Sequence, residues 1–476
     1  MSFFTGLIVA LVRVKLYAII LGPAGFGVVS QLYNFYLLFT NIIHFGVPVS
    51  ITSETSKINN VESRPIINSY FRYIVSRILL VTLFFSFVII LLSEPFSYFL
   101  VDSVEYSFFI KVIFISAPFT VAYFLIEAFL KGCQEITKIV KINVFTNVTS
   151  TLIFIPLIYL YNIWGVSIYL MIFGLLPVLV SIIVAKKFIS TISKPSSYIL
   201  ARKEKMIIFK LGAVSLISSL MHQGVIIYLR KIIIGSYGLD ENGIYQSVLS
   251  ISLTYFGLLY VFLSNYTLPK LAECKNDINL VAELNINARF LILLIFPMIS
   301  IFYTYKEFGV LLLYSPKFLN AGTLFFPQLI GDIFRVGAAL LGLWMIPRHK
   351  IKQIIIIDII FNSIFVILLV VFVNLLALPL FYVSIAYLLS FLSHFIMYFI
   401  YSKHSIKFKF EKKIKMTMVY SSLLLLLTFL LQNYNKDLAQ FLLFAVLLIW
   451  FLMVVELHEI RNMKEVLKNY FKKLID

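Results

Sequence analysis

L-Y-A-I-I-L-G-P-A-G-F-G-V-V-S-Q at residues 16 to 31 and L-R-K-I-I-I-G-S-Y-G-L-D-E-N-G-I-Y-Q at residues 229 to 246 are the stretches on which the fold turns. Each joins two apolar runs through a glycine-rich corner, and glycine suits a tight helical hairpin because it tolerates positive φ. Gly22, Gly25, Gly27 and Gln31 find counterparts in Gly235, Gly238, Gly243 and Gln246 once a short insertion is allowed. Turn chemistry could converge on a few glycines. Four matches in the same order favour an internal duplication. Both copies run outward and then inward, so the repeat is parallel, related by an axis along the membrane normal, as in many two-lobed transporters.

Reading outward from these corners, apolar runs bounded by charged, Pro, Gly or Asn residues give helices near 3–20, 26–50, 73–92, 107–130, 142–161 and 165–185. After a charged connector at 186–205, a second set runs near 206–231, 243–265, 287–305, 321–346, 354–375 and 379–401. A basic segment, 402–415, precedes two further apolar runs near 416–432 and 438–456. With 61% of 476 residues hydrophobic and 13% charged, no water-soluble core could hide this surface. The expectation is an all-α integral membrane protein of about fourteen transmembrane helices at about 20 residues per crossing. Two pseudo-symmetric six-helix lobes, 1–185 and 206–401, are joined by the connector. Accessory helices within 402–456 and a tail at 457–476 complete the chain.

A net charge of +18 would suit a nucleic-acid partner, but topology accounts for it better. With a cytoplasmic N-terminus, the inner segments hold 31 Lys and Arg, the outer face holds six, and Arg13, Lys15 and Arg335 fall inside spans. This bias puts both termini in the cytoplasm and leaves no role for nucleic acid. Cys133 and Cys274 fall on the cytoplasmic side, where thiols stay reduced. No basic region followed by a small-residue cleavage site opens the chain, so the first run is expected to be a retained helix.

A charge within hydrocarbon costs a few kcal/mol or more, so each one faces a watery cavity or finds a partner. Arg13 and Lys15 lie deep in the first run and suit a cavity. Arg230 and Lys231 stand at the outer end of the seventh, where snorkelling to the interface is an equal alternative. Asp332 and Arg335, at i, i+3, share a helix face and form either a static pair or a working one. Glu127 and Lys131, at i, i+4, read as a structural pair, whereas Asp358 and Asn362 leave both readings open. On the second helix Ser30, Gln31, Asn34, Asn41 and His44 fall within an arc of about 140° at about 100° per residue. On the eighth, Gln246, Ser247, Ser250, Thr254, Ser264 and Asn265 fall within about 100°. One such stripe could be helix-to-helix glue. Two on corresponding helices fit the walls of a hydrated cavity.

Enzymatic signals are missing. The six histidines show no paired metal spacing and no Walker-type phosphate loop occurs, so neither a metal, a cofactor nor ATP hydrolysis is expected. With those motifs set aside, L-G-P-A-G-F-G-V-V-S-Q (21–31), F-G-V-P (45–48), N-Y-T-L-P-K-L (265–271) and P-Q-L-I-G-D-I-F-R-V-G-A (327–338) stand out. In these stretches the chain resembles the polysaccharide and O-antigen flippases of the multidrug/oligosaccharidyl-lipid/polysaccharide exporter superfamily. The resemblance implies lobes around a central cavity and a cargo of undecaprenyl-pyrophosphate-linked oligosaccharide, crossing from the cytoplasmic to the periplasmic leaflet of a bacterial inner membrane. A polymerase and a chain-length regulator of the same pathway would be partners, beside membrane lipid.

Unaided flipping would drag a pyrophosphate and many hydroxyls through hydrocarbon, at about several kcal/mol for each unpaired group. Arg13, Lys15, Gln31, Asn34, Asn41, Arg230, Gln246, Asn265 and Arg335 are the residues expected to replace water for them. Asp332 and Asp358 are the candidates for coupling transport to an ion gradient. A drug or cation exporter of the same superfamily should instead show unpaired acids, and a glycosyltransferase or polymerase a sizeable catalytic loop.

Overall fold

A computed structural model describes residues 2–57, 64–195, 198 and 200–455, and among these no strand occurs. The helices are α1 (Ser2–Ile20), α2 (Gly22–Ile43), α3 (Val47–Lys57), α4 (Arg64–Leu91), α5 (Ser93–Val101), α6 (Ser107–Ile115), α7 (Ala117–Gly132), α8 (Ile136–Val184), α9 (Lys186–Ile192) and α10 (Arg202–Tyr237). They continue as α11 (Leu239–Tyr255), α12 (Gly257–Phe262), α13 (Leu268–Glu273), α14 (Asp277–Thr304), α15 (Lys306–Leu313) and α16 (Phe325–Leu343). The last four are α17 (Ile351–Leu369), α18 (Phe381–Ile406), α19 (Lys412–Tyr434) and α20 (Lys436–Val454). The tail at 457–476 lies outside the described residues.

Helices dominate because hydrocarbon offers no water to a spare N–H or C=O, and only a helix satisfies them within one segment. Side chains follow the same logic. Leu80 and Phe84 on α4 are 64% and 63% exposed and Phe441 on α20 is 81% exposed, which suits lipid and not water. Serines and threonines such as Ser50, Thr82 and Ser116 are buried instead.

Among the described residues ten helices are long and apolar enough to cross a membrane, or eleven if α6 and α7, bent by 41°, form one span. The protein is therefore a multi-pass membrane protein. The 49-residue α8 counts once in that tally, yet Asn162 breaks it with φ 49° and ψ −126°. A Cβ at Gly165 would lie 1.9 Å from the Leu157 carbonyl oxygen, so the chain folds back there. That break falls between the two runs that the sequence separates at 161 and 165.

The chain forms two compact units, Met1–Gly243 with Leu313–Ser315, and Ile244–Leu312 with Pro316–Asp476. In unit 1, Val28, Leu32, Phe109, Phe154 and Tyr169 build one buried cluster. Val47, Ile51, Phe129, Ile142 and Val180 build another. Helix α10 packs within this unit, on α2 and α3.

Both glycine corners also belong to unit 1. Gly22 (φ 65°) turns α1 into α2, and Gly238 (φ 90°) turns α10 into α11. A Cβ on Gly243 would stand 1.8 Å from the Pro23 carbonyl oxygen, and one on Gly27 would stand 2.8 Å from the Gly243 nitrogen. The Ala24 amide donates to the Asp240 carboxylate at 3.1 Å. The corners thus pack on each other, and their geometry pairs Gly22 with Gly238 and Gly27 with Gly243 at one constant offset. This corrects the register in which Gly25 answers Gly238.

In unit 2, α16 lies against α18, and small residues set the approach. A Cβ on Gly331 would meet Tyr387 at 2.6 Å, and one on Gly337 would meet Phe395 at 2.9 Å. Leu293, Leu424, Trp450 and Val454 bind α14, α19 and α20 into a second core. Arg289 of α14 reaches across it, donating to the Thr417 hydroxyl at 2.6 Å and to the Val454 carbonyl at 2.8 Å. The latter is the last carbonyl of α20, which has no partner within its own helix.

Candidate functional site

In unit 1, Arg13 points from α1 toward α8. Its guanidinium donates to the Tyr169 hydroxyl and lies 5.4 Å from the centre of the Phe173 ring. Tyr17 and Phe154 extend this aromatic wall, Phe154 lying 5.0 Å from Tyr17 and 4.8 Å from Tyr169 between ring centres. No carboxylate pairs with Arg13 among the described residues. A cation so placed is held by ring quadrupoles and one phenol, which leave its net charge uncancelled. Lys15, two residues on, projects to a different side of α1 and donates to the Tyr314 carbonyl at 2.5 Å. The two cations of α1 therefore do not converge.

Gln31 is fully buried, and its amide donates to the carbonyls of Leu100 at 3.3 Å and Ile227 at 3.2 Å. That joins α2 to α5 and α10, the role of interhelical glue. Asn34 is half-buried on α2. Asn41 lines a cavity of about 670 Å³ with His44, Thr52, Phe124, Glu127 and Lys131. Helix α2 stops at this cavity because Phe45 (φ 51°) and Gly46 (φ 62°) take left-handed conformations in succession. On its wall, Glu127 and Lys131 pair at 3.0 Å. Arg230 is buried, and Lys231 lies 3.6 Å from the centre of the Phe99 ring.

Unit 2 holds the other candidates. Gln246 is half-buried and donates to Ser250 at 2.8 Å. Asn265 is exposed on a π-helical turn, Leu263–Thr267. Asp332 is fully buried: Ser252 donates to it at 2.7 Å and Tyr387 at 2.8 Å, and Arg335 Nε stands 2.9 Å away in an ion pair. Arg335 also donates to the Ser252 carbonyl at 3.1 Å, and its guanidinium stands 5.4 Å from the centre of the Tyr260 ring. Its charge is matched within the unit. Asp358 is half-buried and meets His394 and Tyr398, both at 3.2 Å.

Tyr169 and Phe173 were beyond sequence reasoning, since they lie more than 150 residues from Arg13 and look like ordinary apolar positions. His394 reads in sequence as a lone membrane histidine. The signal that could have found it is its i, i+4 spacing from Tyr398, which puts two hydrogen-bonding groups on one face of α18.

Residues 1–275 match the family described as Polysaccharide biosynthesis protein. The chain is 24% identical over 344 residues to the Lipid III flippase of Escherichia coli (strain K12), covering 71% of this chain and 81% of that protein. The same figures hold for the Lipid III flippase of Shigella flexneri. Among solved structures it resembles Lipid II flippase MurJ in an inward closed conformation, with TM-score 0.73 and 15% identity over 94% of this chain and 96% of that one. An inward-facing multidrug resistance MATE family transporter of the MOP superfamily gives TM-score 0.69 and 14% identity over 84% and 94%. These likenesses place the fold among the MOP transporters, and none of the relatives is named as an enzyme.

Proposed function

The chain belongs to the polysaccharide biosynthesis protein family, and from that premise we propose that it is a flippase for a lipid-linked oligosaccharide. The observation that carries this reading is Arg13, a cation inside an apolar helix, walled by aromatic rings and matched by no carboxylate among the described residues. A guanidinium in low dielectric suits a pyrophosphate, which it grips through paired N–H donors. Aromatic faces beside it suit the apolar faces of sugar rings, and in the cavity lined by Asn41 and Thr52 these two side chains offer donors and acceptors to hydroxyls.

The cargo is undecaprenyl-pyrophosphate-linked O-antigen or another polysaccharide repeat unit. Alternating access of a cationic central cavity moves it from the cytoplasmic to the periplasmic leaflet of the bacterial inner membrane, with both termini cytoplasmic. Arg13 leads the cargo-binding set, with Lys15, Asn34, Asn41, Arg230, Gln246 and Asn265 as further cavity groups. Gln31 and Arg335 are already engaged by protein partners and support the walls. An ion gradient supplies the drive, through Asp332 or Asp358. A polymerase and a chain-length regulator would receive the product.

Cells deprived of the protein should accumulate the lipid-linked oligosaccharide, and lipid extraction with mass spectrometry measures it. Accumulation of a free drug or metabolite, with normal glycolipid levels, would favour an exporter and contradict this reading.

A further inference from the structure

Asp332 and Asp358, two span-embedded carboxylates of unit 2, stand in opposite surroundings. Asp332 is fully buried, and Ser252, Tyr387 and Arg335 occupy both of its oxygens. Any change at that carboxylate breaks several contacts at once. Asp358 is 32% exposed, and one oxygen, Oδ1, meets both Nε2 of His394 and the Tyr398 hydroxyl at 3.2 Å. Asn362, one turn along α17, gives its amide to the Asp358 backbone carbonyl at 2.7 Å and not to the carboxylate.

The imidazole is fixed in plane. It stacks on Phe361, ring centres 4.3 Å apart and planes 17° apart. Its Nδ1 is buried with no hydrogen-bond partner among the described residues, so the ring's polar contact there is Nε2 against Oδ1, where a carboxylate accepts and the nitrogen donates. Imidazole is the side chain that ordinarily exchanges its proton between about pH 5 and 8. A hard metal cation would take a shell of oxygens, whereas a ring nitrogen already stands against Oδ1.

The neighbouring charges leave this pair as the variable one. His394 and Tyr398 border a cavity of about 220 Å³ that Arg335 and Tyr260 also line. Arg335 is matched by Asp332, Tyr387 donates to Asp332, and the Tyr260 hydroxyl donates to the Arg335 carbonyl. On α17 itself, Lys350 beside the first turn and Lys352 within it are exposed.

We propose that Asp358 and His394 form a proton-binding site through which the protein exchanges a proton moving inward for cargo moving outward. One proton taken up brings the pair from a net charge of −1 to zero, with no other bond made or broken. The proposal rests on the flippase reading and chooses Asp358 over Asp332 as the coupling carboxylate.

Two measurements on the full-length purified protein test it. Infrared difference spectra between about pH 5 and about pH 8 should show a carboxyl band that Asp358→Asn removes and His394→Gln shifts. In vesicles, the probe is a polyprenyl-diphosphate-linked oligosaccharide with a fluorescent sugar. A gradient of one pH unit, acid on the receiving side, should concentrate it about tenfold for one proton exchanged. Both variants should lose that accumulation yet keep exchange of labelled for unlabelled probe at equal pH, which a misfolded protein would also lose. Tenfold accumulation by both variants, or accumulation that follows a sodium gradient instead, would overturn the proposal. If the wild-type protein moves no probe, the flippase reading fails and the infrared band alone decides. A band lost in Asp358→Asn then supports the proton site, and its absence from the wild type overturns it.

Discussion

Arg13 in unit 1 and Arg335 in unit 2 are both guanidinium groups within apolar helices, and their partners separate them. Arg335 sits on a fully buried carboxylate that two hydroxyls also hold, so its charge is spent inside the fold. Arg13 has rings and a phenol around it, which orient the cation without neutralising it. A buried ion pair contributes to a unique packing, whereas an unneutralised cation in a span is tolerated where an anion or water completes it. The first arrangement builds a wall, and the second is the one we propose as a site.

Removing one partner of the unit 2 pair should have the largest effect on folding. Arg335→Ala leaves Asp332 charged and unmatched in a dry interior, a loss of about 3–5 kcal/mol that should appear as a lower thermal midpoint and less protein in the membrane. Replacing both residues by Leu and Met should recover most of it. Arg289→Ala comes next, at about 2 kcal/mol, because charge-assisted bonds to Thr417 and to the end of α20 are lost. Its distinguishing sign is faster proteolysis of the α19–α20 region with α16 and α18 still protected. Tyr169→Phe removes one hydrogen bond while keeping the ring, so stability should fall by about 1 kcal/mol and thermal unfolding measures it. A drop for Tyr169→Phe as large as that for Arg335→Ala would erase the distinction between wall and site.

Much of this contrast was legible in the sequence. Arg13 and Arg335 stand out because apolar runs surround them, and Asp332 is visible at i−3 from Arg335. The corner glycines mark the hairpins, and the punctuation near 162 marks the break in α8. The partners of Arg13 are hidden because contacts between distant helices leave no trace in local spacing. Gln31 misleads for the same reason: a polar residue on a helix stripe looks alike whether it faces water or the carbonyls of Leu100 and Ile227. The span count is the coarsest reading, since among the described residues ten or eleven helices meet the length and apolarity of a span where the sequence pattern suggests about fourteen.

The smallest expected effect concerns orientation. Burial and the nearby carboxylates of Glu283 and Glu273 push the Cys274 thiol up from its ordinary range, which lowers its thiolate fraction near neutral pH. Its reaction with an impermeant maleimide should therefore be slow at neutral pH and speed up as pH rises, and only after permeabilisation if this segment is cytoplasmic. Labelling in intact cells would reverse the topology.

The central claim, that unit 1 offers its cation to an anionic lipid-linked glycan, is tested most directly by flipping rates in proteoliposomes. The probe is a fluorescent polyprenyl-diphosphate oligosaccharide, and wild type, Arg13→Lys and Arg13→Ala are compared at equal protein. Losing one charge-assisted contact of about 1.5–3 kcal/mol should slow Arg13→Ala by about 10- to 100-fold, with Arg13→Lys between the two and the thermal midpoint lowered only by an amount like that for Tyr169→Phe. Flipping by Arg13→Ala at the wild-type rate would contradict the account.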